Sequence, residues 1–137
     1  MPLHRPIPPG GTIGILGGGQ LGRMTALAAA ALGYRVHIFT PEQDSPAAHV
    51  SDAVTVAPYD DETALSHFAG KVDVATLEFE NIPAAPVRFL AERVPVRPGP
   101  RVLEIAQDRL SEKRFFNGLG IATAPWREVR SEGDLAS

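Results

Sequence analysis

The residues of this chain with the clearest chemical signature are three glycines, Gly17, Gly19 and Gly22, in the spacing Gly-x-Gly-x-x-Gly. Glycine tolerates positive φ in a tight turn, and its missing Cβ lets a ligand approach the backbone. The free N–H groups of the helical turn that follows favour an anion such as phosphate. The plainer reading of the same spacing is close packing of a helix on a strand. Gln20 comes next and offers both a donor and an acceptor; without a ligand it is a solvated residue at a helix start. Glu78 and Glu80 alternate in Leu77-Glu-Phe-Glu-Asn-Ile-Pro83. In an extended segment they point to opposite sides, so one can face a ligand while the other meets backbone or solvent. A carboxylate at such a place accepts from an amine or a ribose hydroxyl, or is simply a structural turn acid. Asn81 stands where it can cap the next helix.

Other chemistries are excluded. The chain has no cysteine, which rules out disulfides, thiolate metal sites and a cysteine nucleophile. His4, His37, His49 and His67 lack ligand spacing, no Ser–His–Asp arrangement is defensible, and no metal is expected within these residues. His37 alternates within a strand and reads as a packed or edge residue. No Gly-Lys-Ser/Thr follows the glycines, so this is not a Walker loop. A nicotinamide site asks for an acid at the tip of the second strand, to hold ribose hydroxyls. Thr40 and Pro41 stand there, with Glu42 and Asp44 displaced beyond the proline. A net charge of −3 gives no case for nucleic acid or an anionic membrane surface.

These residues need a frame to hold them. The length of 137 residues, 44% hydrophobic and 21% charged, fits one domain with the start of a second. Residues 1–10 read as an extended lead-in. Ile13–Leu16 reads as a buried parallel strand. A helix follows over Gln20–Leu32, with Leu21, Met24, Leu27, Ala28, Ala31 and Leu32 in one stripe and Gly33 as its stop. Strands are expected at Tyr34–Thr40, Ala53–Ala57 and Val72–Leu77, with a short helical turn at Ala47–Val50 and a helix at Thr63–Ala69 closed by Gly70. Pro83 can begin a helix to about Arg93 with Val87, Leu90 and Val94 on one side. Val94–Gly99 resembles a short terminal strand at a sheet edge. Pro100 can start a helix carrying Val102, Leu103 and Ala106. Asp108 opens another, carrying Leu110, Phe115 or Phe116, and Leu119, stopped by Gly118 or Gly120. Ala124–Val129 reads as a strand and Ser131–Ser137 as the first turn of a helix.

The alternation predicts an α/β fold, a Rossmann-like parallel sheet with helices on both faces. Ligands of such sheets bind outside the carboxyl ends of the strands. The glycine turn and Glu78–Asn81 both lie at such ends, which places Gln20 and Glu78 at the mouth of one crevice.

Four stretches then form a set: Gly17-Gly-Gly-Gln-Leu-Gly-Arg-Met24, Leu77-Glu-Phe-Glu-Asn-Ile-Pro83, Asp108-Arg-Leu-Ser-Glu-Lys113 and Thr123-Ala-Pro-Trp126. Over about residues 11–130 the chain resembles the amino-terminal part of the 5-(carboxyamino)imidazole ribonucleotide synthases, ATP-grasp ligases of purine biosynthesis. A related formate-dependent transformylase family has Glu where this chain has Gln20. The resemblance implies a pre-ATP-grasp domain at 11–107 and the start of a truncated ATP-grasp domain at 108–137. It implies carboxylation of aminoimidazole ribonucleotide with bicarbonate and ATP, giving ADP and phosphate. It further implies a cytoplasmic homodimer that uses ATP with Mg²⁺. Carried over by motif, Gly19, Gln20, Leu21 and Glu78 line the ribonucleotide site and Arg109 contacts ATP. From the residues alone, Arg109 is an exposed helix arginine pairing with Glu112 or Glu104. The grasp lysines and metal ligands are expected beyond residue 137, so the catalytic residues are unassigned and these residues alone should be inactive. Two other readings remain, a nicotinamide-dependent oxidoreductase domain and a non-catalytic nucleotide-binding module.

Overall fold

The computed structural model describes residues 6–135; the first half of the lead-in and the last two residues lie outside this range. The chain runs β1 (Thr12–Leu16), α1 (Gln20–Ala31), β2 (Arg35–Thr40), a 3-10 turn (Ala48–Val50), β3 (Ala53–Val56), α2 (Glu62–Ala69), β4 (Val74–Leu77), α3 (Ala84–Ala91), α4 (Pro100–Gln107), α5 (Arg109–Gly118) and a 3-10 turn (Glu132–Leu135). The four strands form one parallel sheet in the order β3-β2-β1-β4. The α/β alternation predicted from the residues is what forms. Buried on both faces, the central strands are rich in Ile, Val and Phe, as parallel strands require.

One face of the sheet meets α2, α3 and α4 through Phe39, Leu65, Phe68, Val87, Leu90 and Leu103. Phe39 and Phe68 meet edge to face, 5.4 Å between centroids, and bury apolar area worth about 1.5–3 kcal/mol per side chain. The other face meets α1. The expected stripe of α1 points the other way: Leu21, Met24 and Leu27 are 58%, 64% and 50% exposed, and Gly22, Ala26 and Ala29 face the sheet. Gly22 explains this orientation. A Cβ there would lie 3.0 Å from the Gly17 carbonyl and 3.3 Å from the Ala47 Cβ, so only the small-residue face fits this close to β1 and its turn. Gly33, at φ +82°, ends the helix as expected.

The later elements depart from expectation more. Val94–Gly99 is not a strand but a single parallel bridge, Val96 against Ala75, because Pro95 and Pro98 remove the donors that a longer ladder needs. Asp61 caps α2 by accepting from the Ala64 N–H, and Asp108 caps α5 by accepting from Ser111. Pro83 occupies the N-cap of α3 with no side-chain cap, so Asn81 does not serve there. Gly120 at φ +75° is the stop after α5, and Gly118 is its last residue. No residue of α5 is fully buried. Ala124–Val129 forms no strand: an extended segment needs a neighbour to pair with, and no sheet among the described residues lies beside it. The expected last helix is the 3-10 turn Glu132–Leu135, where the Asp134 carboxylate accepts from the Arg130 and Ser131 N–H groups.

Candidate functional site

Strand β1 has β2 on one side and β4 on the other, so the chain changes direction across the sheet at β1. Crevices form at such switch points, beyond the carboxyl ends of the strands. Backbone bonds hold the two lips together. The Gly17 N–H donates to the Phe39 carbonyl and the Glu78 N–H to the Leu16 carbonyl, each at 2.9 Å. Gly17 has φ +110°, a backbone that an L side chain rarely adopts.

Between the lips is a crevice of about 350 Å³, lined by Gly18, Gly19, Thr40, Pro41, Glu42, Tyr59, Glu78 and Phe79. Glu78 is its central group. Its Oε2 accepts a hydrogen bond of 2.7 Å from the Gly19 N–H, at the N-cap of α1. Gly19 brings no side-chain cap of its own, so a carboxylate 59 residues away does that work. A Cβ on Gly17 would lie 2.5 Å from Glu78 Oε2 and 2.7 Å from its Cβ; one on Gly19 would collide with Oε1. At Gly22 it would lie 3.3 Å from Oε2. All three spaced glycines therefore make room for one carboxylate.

The opposite wall is also shaped by the glycine motif. Arg23 donates to the Pro46 carbonyl at 3.0 Å and Ala47 N–H to the Gly18 carbonyl at 2.8 Å, which folds loop 41–47 over the turn. Ser45 is fully buried against Gly18, and its Oγ has no hydrogen-bond partner among the described residues. Thr40 is buried at the tip of β2, where its hydroxyl accepts from the Glu42 N–H at 3.2 Å. Burial, then the charges of Glu78 and Glu42, push the Tyr59 phenol up to about 12.

Of the residues expected at the site, Gly19 and Glu78 come together here. Gln20 and Leu21 follow in the first turn of α1, exposed, and do not line the crevice. Glu80 is exposed in a turn rather than an extended segment; the Gln107 side chain donates to its carbonyl and to that of Ile82, both at 2.6 Å. Arg109 lies elsewhere, exposed, paired with Glu112 and lining a separate depression with Lys113, Phe116 and Thr123. Glu104 pairs with Arg88 instead. Tyr59, Phe79 and Ser45 were missed by sequence reasoning. A signal existed for Tyr59, which follows β3 at its carboxyl end, and for Phe79, beside Glu78. Nothing marked Ser45.

His37 is buried in β2, its Nε2 2.8 Å from Thr55 Oγ1 and its ring edge-on to Phe68. Desolvation, then Lys71 and His67, lower its pKa. It is a core residue on the sheet.

Residues 11–107 match the family described as the ribonucleotide synthetase preATP-grasp domain. Over 127 residues the chain is 54% identical to an N5-carboxyaminoimidazole ribonucleotide synthase of Brucella melitensis, covering 93% of this chain and 35% of that protein. It superposes on the ADP complex of an N5-carboxyaminoimidazole ribonucleotide synthetase with a TM-score of 0.92 at 42% identity, over 98% of this chain and 36% of that one. For the Aspergillus clavatus synthase, solved with ADP and aminoimidazole ribonucleotide, the TM-score is 0.76 at 28% identity, over 85% of this chain and 31% of that one. The chain thus spans about a third or less of the length of the relatives it matches. With the sheet order, the glycine turn and the family match over 11–107 in agreement, the chain belongs to the ribonucleotide synthetase preATP-grasp family.

Proposed function

We propose that this chain is the ribonucleotide-holding part of an ATP-grasp carbon–nitrogen ligase that carboxylates aminoimidazole ribonucleotide in purine biosynthesis. Bicarbonate is activated by ATP as carboxyphosphate, and the substrate amine captures the carboxyl group, leaving ADP and phosphate. Residues 108–137 begin the ATP-grasp domain, and ATP with Mg²⁺ is held mainly by the rest of the ligase. Gly19, Gln20, Leu21 and Glu78 serve the ribonucleotide, and Arg109 serves ATP once its fork leaves Glu112 for a phosphate oxygen. The parent works in the cytoplasm as a homodimer; among the described residues no helix is long and apolar enough to cross a membrane. Sedimentation of the full-length parent tests the dimer.

The observation that carries the reading is Glu78, an acceptor held at the switch-point crevice by the Gly19 N–H, in a chain so similar to synthases of this reaction. Phosphoryl transfer rests on positioning and on charge neutralisation by cations. Among the described residues the crevice lining contains none, so the isolated chain binds without turning over. The test is an NMR titration of the labelled chain with aminoimidazole ribonucleotide, with NADH as control. Shifts of the amides of Gly17–Gly22 and Glu78–Asn81 with the ribonucleotide alone are expected. Shifts with NADH alone would overturn the reading, as would ribonucleotide-dependent ATP hydrolysis by the isolated chain for its inactivity.

A further inference from the structure

We propose that Glu78 determines the specificity of the crevice by acting as a built-in anion: its carboxylate fills the phosphate seat of the glycine turn, so the crevice reads the hydrogen-bond-donor end of its ligand and turns phosphates away. The Gly-x-Gly-x-x-Gly spacing elsewhere serves to let a pyrophosphate approach the backbone and the helix N-terminus. Here the same three positions converge on Glu78: Gly17 and Gly22 would place a Cβ 2.5 and 3.3 Å from Oε2, and Gly19 would strike Oε1. The N–H that a phosphate would seek at the N-cap is already taken, at 2.7 Å. A phosphate placed on this turn would press its oxygens against a carboxylate.

The rest of the lining agrees. Glu42 adds a second acid, Tyr59 and Thr40 are neutral, and among the described residues no lysine or arginine lines the crevice. Burial raises the Tyr59 phenol first, and the carboxylates of Glu78 and Glu42 add to it; the same two carboxylates repel an anion. The unpaired lone pairs of Glu78 favour donors, such as ribose hydroxyls or an exocyclic amine. A ribonucleotide therefore enters with its sugar or base toward Glu78 and its phosphate directed out of the crevice. The inference rests on the proposed function only for the identity of that ligand.

The test uses inorganic pyrophosphate as probe on the labelled 137-residue chain, in wild type, Glu78→Gln and Glu78→Ala. Glutamine keeps the size and an acceptor for the Gly19 N–H while removing the charge, so it retains the turn. Glu78→Ala empties the seat and frees the Gly19 N–H, and should tighten pyrophosphate binding at the amides of Gly17–Gly22 by about tenfold or more; Glu78→Gln, which removes the charge but still fills the seat, should gain less. A merely structural role predicts no gain of binding in either variant, and that result overturns the proposal. So does a wild-type chain that binds pyrophosphate on the turn as tightly as Glu78→Ala. The two readings separate cleanly. A gain for pyrophosphate in Glu78→Ala with no ribonucleotide binding to wild type removes the proposed ligand and leaves the role of Glu78. Ribonucleotide binding with no such gain does the reverse.

Discussion

If the missing Cβ of Gly19 exists to admit the Glu78 carboxylate, Gly19→Ala and Glu78→Ala should be strongly non-additive. Gly19 has φ −78°, which alanine adopts without strain, so any penalty must come from the collision with Glu78 Oε1. Glu78 can swing away, but only by releasing the 2.7 Å bond from the Gly19 N–H. Each single substitution therefore costs about what that bond is worth, about 1–3 kcal/mol for a charge-assisted cap. The double variant should cost about the same as either single one, because the bond is lost only once. The coupling is then about 1–3 kcal/mol, measured by urea unfolding of the four proteins. Gly17→Ala is the control: its φ of +110° is strained whatever stands opposite, so Glu78→Ala should rescue it only in part. Equal cost of Gly19→Ala in both backgrounds would refute the reasoning.

Further outcomes follow from the same geometry. The His37 pKa is lowered by burial, Lys71 and His67, so the unfolded chain takes up this proton first. The stability contribution is complete above the ordinary histidine value and is lost as pH falls through it toward the folded value. Urea midpoints should drop over that range in wild type and less steeply in His37→Gln. Ser45→Ala removes a buried hydroxyl without a hydrogen-bond partner among the described residues and should raise stability by about 1 kcal/mol; a loss would show the hydroxyl to be satisfied. Arg109→Ala breaks only an exposed pair with Glu112 and should shift the unfolding free energy by less than about 0.5 kcal/mol. In the parent ligase the same change should raise KM for ATP by about tenfold.

The residues by themselves determined the sheet. The apolar strands, the glycine stops and the acidic caps are local signals, and the structure follows them from Thr12 to Leu90 with boundaries moved by a residue or two. Local chemistry also placed the glycine turn and Glu78 at one mouth, since both lie at carboxyl ends of parallel strands. The tertiary structure decided what local pattern could not carry. Which face of α1 packs was set by the approach of Gly22 to the Gly17 carbonyl, against a stripe that periodicity alone would bury. Ala124–Val129 reads as a strand but has no neighbour to pair with among the described residues, so the local pattern misled. Which of Glu78 and Glu80 enters the crevice depended on a turn at 78–82 that alternation does not foresee. Above all, the seat on the glycine turn was legible as an anion site; that its anion is a side chain of the same molecule is a long-range fact, fixed only when β4 pairs with β1.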